Sequence, residues 1–522
     1  MLFPLLAFAL PFGLADQTYK SRPDLTPPKL NITIPCSACD TGYLFVSPYS
    51  GHPDTLNYYP VQPGNYILRD DGDVVFSGFS YWSPWNANFQ PSKWKGQDVL
   101  FAFEGLHDGP HGHGLGHHTL LNNRYETVKE LRAGGHYLSD KHEFIINDDQ
   151  ETALIQIWQP VQRNLSKYGG DLNHTWVVDA IFQELDIETG KVLFEWHSLD
   201  HVSPDDAILP LTTGPAGNGS SSTAAWDYFH INSVEKGTDG NYLVSARHIS
   251  TLFKINGTDG SIIWRLGAHR SDFKLGPEVE FGFQHHARYL HGGNSSVSLI
   301  SLFDNSYYGS GQNETGTDVQ IYPYSRGKYI AIDHETHHAN LVKEFIPPNK
   351  SILTKHQGST QSLPNGNVLI NWGSEGQITE YTSNGTITLH AHLDSGELAN
   401  NVQNYRAFRY HWTGTSSETP ALVAHKIGNV VKAFVSWNGD TRVKSWRFTW
   451  KETGGNQPHT GTGLTKRTGF ETVFSISPKK SHTKLEITAQ GLDCHGTIIG
   501  ESDLVVINAK ATKDDDYLQS IF

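Results

Sequence analysis

The chain has 522 residues, of which 18% are charged, with 50 Gly, 25 Pro, one Met, 13 Trp, 22 Tyr and 25 Phe. That is too long for one ordinary core, and it is the make-up of a strand-rich and turn-rich protein. A formal net charge of −14 with no basic tract argues against a nucleic-acid partner and suits a soluble secreted chain.

The first residues read MLFPLLAFALPFGLA before Asp16, a short apolar run that closes on the small residues Gly13 and Ala15. A secretory signal peptide is expected over 1–15, because a membrane span needs about 20 apolar residues. No later stretch is long and apolar enough to span a bilayer. Nine Asn-x-Ser/Thr sequons, at Asn31, Asn164, Asn173, Asn218, Asn256, Asn294, Asn313, Asn349 and Asn384, support N-linked glycans and an extracellular or secretory-lumen location. Cys36 and Cys39 form a CxxC and Cys494 stands alone. One structural disulfide is expected, its pairing open.

After a leader segment over 16–40, short apolar runs alternate with turn chemistry, as in YILRDDGDVVFSG, DIETGKVLFEWHS, INGTDGSIIWRLG and LPNGNVLINWG. Asp-Gly and Asn-Gly pairs between such runs are hairpin turns. A glycine turn, a β-branched run, then an aromatic and a polar residue recur at ~40–50-residue spacing, which suggests a β-propeller. The span 41–425 would hold six blades of roughly 60 residues each with loop insertions. From 426 to 522 the runs VKAFVSWNGDTRVKSWRFTW, GFETVFSISP and TKLEITAQGLD alternate with period two, which fits a small C-terminal β-sandwich. The fold class is therefore all-β.

Histidines stand beside Arg, Asn and Gln at the ends of these strand patterns, in WDYFHINSVE, SARHIS, FGFQHHAR and TKHQGSTQSLPNGNVLI. Histidine serves as base, nucleophile or metal ligand near neutral pH. The stretch FEGLHDGPHGHGLGHHTLL and the segment His197 to His201 also look metal-like. Glycine spacing in the first reads as a flexible blade loop, and the second as a hydrogen-bonded turn, so no metal is assigned. No other cofactor is assigned either.

Those histidine motifs, with ETGKVLFEWHSLDHVSPDDA, SLFDN and FRYHWTGTSSETPAL, resemble the secreted fungal branch of the arylsulfotransferase-like family over about residues 40 to 450. The resemblance implies a six-bladed propeller with an added β-sandwich. It also implies a histidine that carries a sulfuryl group between phenolic compounds without a nucleotide donor. On that reading His356 is the nucleophile, His230 and His285 are acid/base or anion-stabilising groups, and Arg247 or Arg326 clamps the anion. His142, His248, His286, Asn232 and Tyr307 are expected to line the substrate site. Strand alternation puts Arg247 and His248 on opposite faces, and likewise His285 and His286, so one of each pair is expected inward. After SLFDN the bacterial relatives place an Arg, whereas Ser306, Tyr307 and Tyr308 follow here, which makes Arg326 the candidate replacement. The alternatives are an isomerase, cyclase or lyase on an aromatic metabolite using the same histidines, and a non-catalytic binding propeller.

Overall fold

A short apolar run between glycine turns can bury its faces only by pairing with its neighbours and packing against another sheet. The computed structural model describes residues 16–51, 60–83, 85–211, 216–267, 270–294, 296–308, 318–395, 401–453, 458–479 and 484–508. The expected leader at 1–15 and the sequon Asn313 lie outside these residues.

Strand is the dominant regular structure of the described residues, with almost no helix, and its sheets are antiparallel apart from a short parallel pairing of Lys274–Leu275 with His338 and Ala339. One runs through Ile231–Lys236, Tyr242–Ala246, Thr251–Ile255 and Ile262–Gly267. Others open with Asn86–Trp94, Ser139–Ile146, His285–Tyr289 and Ser359–Ser362. The meanders headed by Asn86–Trp94 and Ser139–Ile146 are joined into one sheet by a pairing of Ser139 with Gly116. Strand Phe408–Tyr410 pairs with Tyr43–Val46, and Asn31–Ile34 pairs with Ile387–His392, so segments far apart in sequence complete two sheets. Apolar clusters fill the space between consecutive meanders. One contains Phe182, Trp196, Phe229, Val244 and Phe253, and the next Leu243, Leu252, Leu266, Leu302 and Ile330.

Side-chain amides tie each meander to the start of the next. Asn88 donates to the carbonyls of Lys141 and His142 (2.5 and 3.1 Å), and Gln156 to that of Ile231 (2.6 Å). Asn232 donates to Gln284 O (2.6 Å), Asn305 to Thr354 O and Gln357 O (3.2 and 3.0 Å), and Asn371 to Asn404 O and Tyr405 O (2.9 and 3.2 Å). Every one of these amides is buried. They hold the backbone at the entry of the leading strands, where the histidines stand. Asn371→Ala removes the donor and strands two buried carbonyls, so urea unfolding is expected to find it destabilised by about 1–3 kcal/mol. No change would mean that the belt is decorative.

Beyond Tyr410, strands Ala421–Ile427, Val430–Ser436 and Glu471–Ile476 form one sheet, and Ser445–Thr453, His459–Lys466 and Lys484–Leu492 are the longer strands of another. The two share a core of Val431, Val435, Trp446, Phe448, Leu485 and Ile487. Tyr125 donates to Gly439 O (2.8 Å) and Ser77 N–H to Asn438 Oδ1 (2.8 Å), which ties these sheets to the meanders. Cys36 and Cys39 form a disulfide, and Cys494 is free and exposed. No described helix is long and apolar enough to cross a membrane.

Candidate functional site

Side chains from the leading ends of several meanders meet in one buried centre. Strand Ser139–Ile146 brings Asp140, Lys141, His142 and Glu143, all buried. Asp140 Oδ2 accepts from His142 Nδ1 at 2.5 Å and also from the His142 backbone N–H (2.8 Å), while Oδ1 accepts from Gly114 N–H (2.7 Å). Just before the next leading strand, Asp227 Oδ2 makes the same 2.5 Å contact with His230 Nδ1. The two imidazoles meet edge-on at 4.8 Å, and Trp158 lies 4.7 Å from His230. Burial disfavours a separated ion pair in either dyad: it pushes both histidines well below and Asp227 well above their ordinary values. In each dyad a hydrogen bond joins the carboxyl group to the imidazole Nδ1. The Nε2 atoms of His142 and His230 have no hydrogen-bond partner among the described residues.

His230 sits at φ 58°, in the left-handed region, as do His286 (53°) and Gln357 (68°). Each such position costs about 1–3 kcal/mol outside glycine and persists only where surrounding contacts impose it. Here the twist turns these side chains away from a regular strand direction.

Arg247 and His248 were expected on opposite faces, and the structure corrects this. The strand ends at Ala246 and the pair lies in a 3₁₀ turn, Arg247–Ile249, so strand alternation does not apply. Arg247 Nη1 donates to His248 Nε2 (2.7 Å) and Nη2 to Lys355 O (3.0 Å), next to His356. A guanidinium only donates, so His248 carries its proton on Nδ1 and gives it to Asp227 O (2.6 Å). Asp227, His230 and His248 lie close enough together to suggest a cation site. The proton on His248 Nδ1 points into that space, so the trio reads as a hydrogen-bonded hub.

His285 is held similarly. Its Nδ1 meets Asn305 Oδ1 (2.7 Å), while Nε2 accepts from Gln357 N–H (3.2 Å), which occupies the lone pair. His286 turns to Thr360 O (3.1 Å) and packs on Phe408. His356 is half-buried, and neither ring nitrogen has a hydrogen-bond partner among the described residues. Burial first, then the Arg247, Lys141 and Lys355 charges, push it down to about 3, so it is neutral at pH 7.

Arg326 lies elsewhere. It is caged by Glu278 and Glu344 (2.9 Å each) and Asp304 (3.4 Å), which commits its guanidinium to carboxylates. Tyr307 is partly exposed and pairs with Gln320, whereas Tyr308 lies 5.0 Å under Arg247 and 5.8 Å from His248. Asn232 serves the amide belt.

The histidine-rich stretch, read from sequence as a flexible loop, is instead a long hairpin of Gln97–Asp108 and His113–Asn122 paired out to Asp108 and His113. Its glycines permit crowding: a Cβ on Gly114 would come within 2.8 Å of the Lys141 Cβ. His118 is fully buried against Phe144, and His117 pairs with Glu104 (3.1 Å). His113 packs tilted on Trp158 (3.8 Å), and His107 lies flat on Trp85 (4.4 Å) with Nδ1 3.0 Å from Lys141 Nζ. Burial pushes Lys141 down to about 8, with Asp140 and Asp108 pulling it back up. Glu143 pairs with Arg406 (3.0 Å) and Arg288 (2.7 Å), bracing the strand beneath. Outside this centre, His197 bridges Asp179 (2.8 Å) and Glu195 (3.0 Å). Clefts of about 450 and 690 Å³, lined in part by Arg132 and Tyr137 and by Arg163 and Leu172, contain no member of the centre.

Asp140, Lys141, Trp158, Tyr308, Tyr405 and Arg406 belong to the centre although they are not among the site residues expected from the sequence. The one signal for the dyads was an Asp two or three residues before each histidine, in DKH and DYFH.

A family model described as Arylsulfotransferase (ASST) matches residues 90–394, more than half of the chain. No curated protein matches. Among solved structures, a Bacteroides caccae protein of unknown function is similar at 11% identity, covering 71% of this chain and 99% of its own, with a TM-score of 0.38. Virginiamycin B lyase from Staphylococcus aureus is similar at 11% identity, covering 78% and 95%, with a TM-score of 0.30. The GH43 protein BlXynB from Bacillus licheniformis is similar at 11% identity, covering 84% and 92%, with a TM-score of 0.29. At such scores the likeness extends to neither activity nor ligand.

Proposed function

The chain belongs to the arylsulfotransferase (ASST) family, and we propose that it is a secreted enzyme that passes a sulfuryl group between phenolic oxygens through a histidine, with no nucleotide donor. The observation that carries this reading is the convergence of neutral imidazoles around Arg247. Of these, His142, His230 and His356 keep a nitrogen without a hydrogen-bond partner, while those of His248 and His285 are occupied. His356 is the most accessible of the three and has Arg247, Lys141 and Lys355 nearby.

In the first half-reaction a His356 nitrogen attacks sulfur, the S–O bond to the aryl group breaks, and the phenolate leaves. In the second, an acceptor phenol gives its proton to an Asp-backed histidine, His230 or His142, and its oxygen attacks sulfur as the S–N bond breaks. That proton then returns to solvent, so no co-reactant is consumed. Arg247 suits the transferring group, because a guanidinium offers several in-plane donors to oxyanion oxygens. The aromatic walls Trp158, Tyr405, Tyr49 and Trp85 suit an aryl substrate.

We read the meanders as six propeller blades, the sheets from Ala421 onward as a β-sandwich, and 1–15 as a cleaved signal peptide. None of the eight described sequon asparagines is buried, which leaves them open to glycans. The test is transfer from 4-nitrophenyl sulfate to phenol by purified protein, followed at the released nitrophenolate and by detection of phenyl sulfate. Release without phenyl sulfate, or no release, would remove the transferase reading.

A further inference from the structure

Lys141 is 3% exposed, yet no carboxylate lies within ion-pair distance of its Nζ among the described residues. The other fully buried lysine, Lys328, is paired with Asp304 at 2.9 Å. A buried ammonium without a counter-charge is costly and is ordinarily neutralised or given a partner. Among the described residues Lys141 donates to a neutral partner, His107 Nδ1 (3.0 Å), on a ring clamped flat against Trp85 (4.4 Å, 11°). That clamp directs the ammonium between the rings of Trp85 and Tyr405, at 5.2 and 5.9 Å.

Other donors around it are also unsatisfied. Arg247 Nε, Trp85 Nε1 and the Tyr405 hydroxyl are buried without a hydrogen-bond partner among the described residues. Natural interiors rarely leave such groups orphaned, and several donors collected in one place fit an acceptor-rich, negatively charged ligand. The charged groups felt by Lys141 are Asp140, Asp108 and Arg247, and His356 feels Lys141 in turn.

We propose that Lys141 is a substrate-binding residue that, with Arg247, holds the oxygens of the sulfate group of an aryl sulfate. This rests on the reading that an aryl sulfate is the substrate. The histidine-rich hairpin then acts as the mount that aims the ammonium, through His107 and the glycines beneath Lys141. Ser306, Tyr307 and Tyr308 follow Asn305, so the second cation of the centre comes from a different strand, Ser139–Ile146.

The test is equilibrium binding, read by tryptophan fluorescence and calorimetry, of 4-nitrophenyl sulfate, 4-nitrophenol and inorganic sulfate to the wild-type protein, Lys141→Gln and Lys141→Arg. Loss of one charge-assisted hydrogen bond predicts about 30-fold weaker binding of 4-nitrophenyl sulfate to Lys141→Gln. Binding of 4-nitrophenol is expected to change less than about threefold, and Lys141→Arg to recover most of the loss, because a cation is restored. Inorganic sulfate losing affinity in parallel also supports the clamp. Unchanged affinity of 4-nitrophenyl sulfate for Lys141→Gln, or equal losses for sulfate ester and phenol, overturns it. A wild-type protein that binds the ester through Lys141 but never transfers removes the transferase reading and keeps the clamp. One that transfers although Lys141→Gln binds normally does the reverse.

Discussion

His356→Ala is expected to lower sulfuryl transfer from 4-nitrophenyl sulfate by at least about a thousandfold, the scale of losing a covalent nucleophile. Folding should be nearly unaffected. The His356 side chain is half-buried and makes no described side-chain hydrogen bond, so its removal strands no partner. His285→Ala differs in kind: it frees Asn305 Oδ1 and the Gln357 N–H in a buried setting, so part of its effect is on stability. Asp227→Asn separates the roles further, because the amide keeps the shape while the titratable carboxyl group behind His230 is lost. Steady-state rates paired with urea midpoints distinguish these cases. An active His356→Ala would move the nucleophile to His230 or His142, the other imidazoles with an open nitrogen.

The second large effect is acid instability. Among the described residues the buried histidines His118, His142, His230, His248, His285, His286 and His390 are held below their ordinary value by burial. The unfolded chain takes protons at about pH 6.5 that the folded chain refuses, so this stability is present above that pH and lost below it. Four fully buried carboxyls, Asp140, Asp227, Glu380 and Asp394, are raised by burial and act with the opposite sign. Their stabilisation is complete below about pH 4 and lost as pH rises through their folded values. The depressed histidines outnumber the raised carboxyls, so the balance favours proton uptake on unfolding and stability falls as pH drops below about 6.5. Native stability is only about 5–15 kcal/mol in total, so cooperative unfolding in acid is expected. Urea midpoints at pH 7.5, 6.5 and 5.5 check the slope, and a flat or rising profile would contradict the neutral histidine core.

Much of the scaffold was legible because its signals are local. Glycine turns and β-branched runs mark strands without knowledge of the rest of the chain. The centre was less legible because it is assembled across sheets. Arg326 opens the strand Arg326–Asp333, but its fate depends on Glu278, 48 residues away, and on Glu344. Arg247 and His248 were separated by a strand rule that their turn cancels. Tyr307 and Tyr308 are adjacent, and only their pairing register decides which one meets Arg247. The hairpin glycines looked flexible because a sequence does not reveal that Lys141 packs against them. A lysine such as Lys141 reads as solvated in sequence, because its burial depends on the hairpin packed against it.

The claim that matters most is that a histidine of this centre carries the sulfuryl group. Wild-type protein mixed with excess 4-nitrophenyl sulfate and no acceptor, quenched at alkaline pH and digested, should yield a peptide containing His356 heavier by one sulfuryl group. Chasing with phenol before the quench should remove the added mass and give phenyl sulfate. Full transfer with no modified histidine peptide at any time would contradict the histidine-carried route.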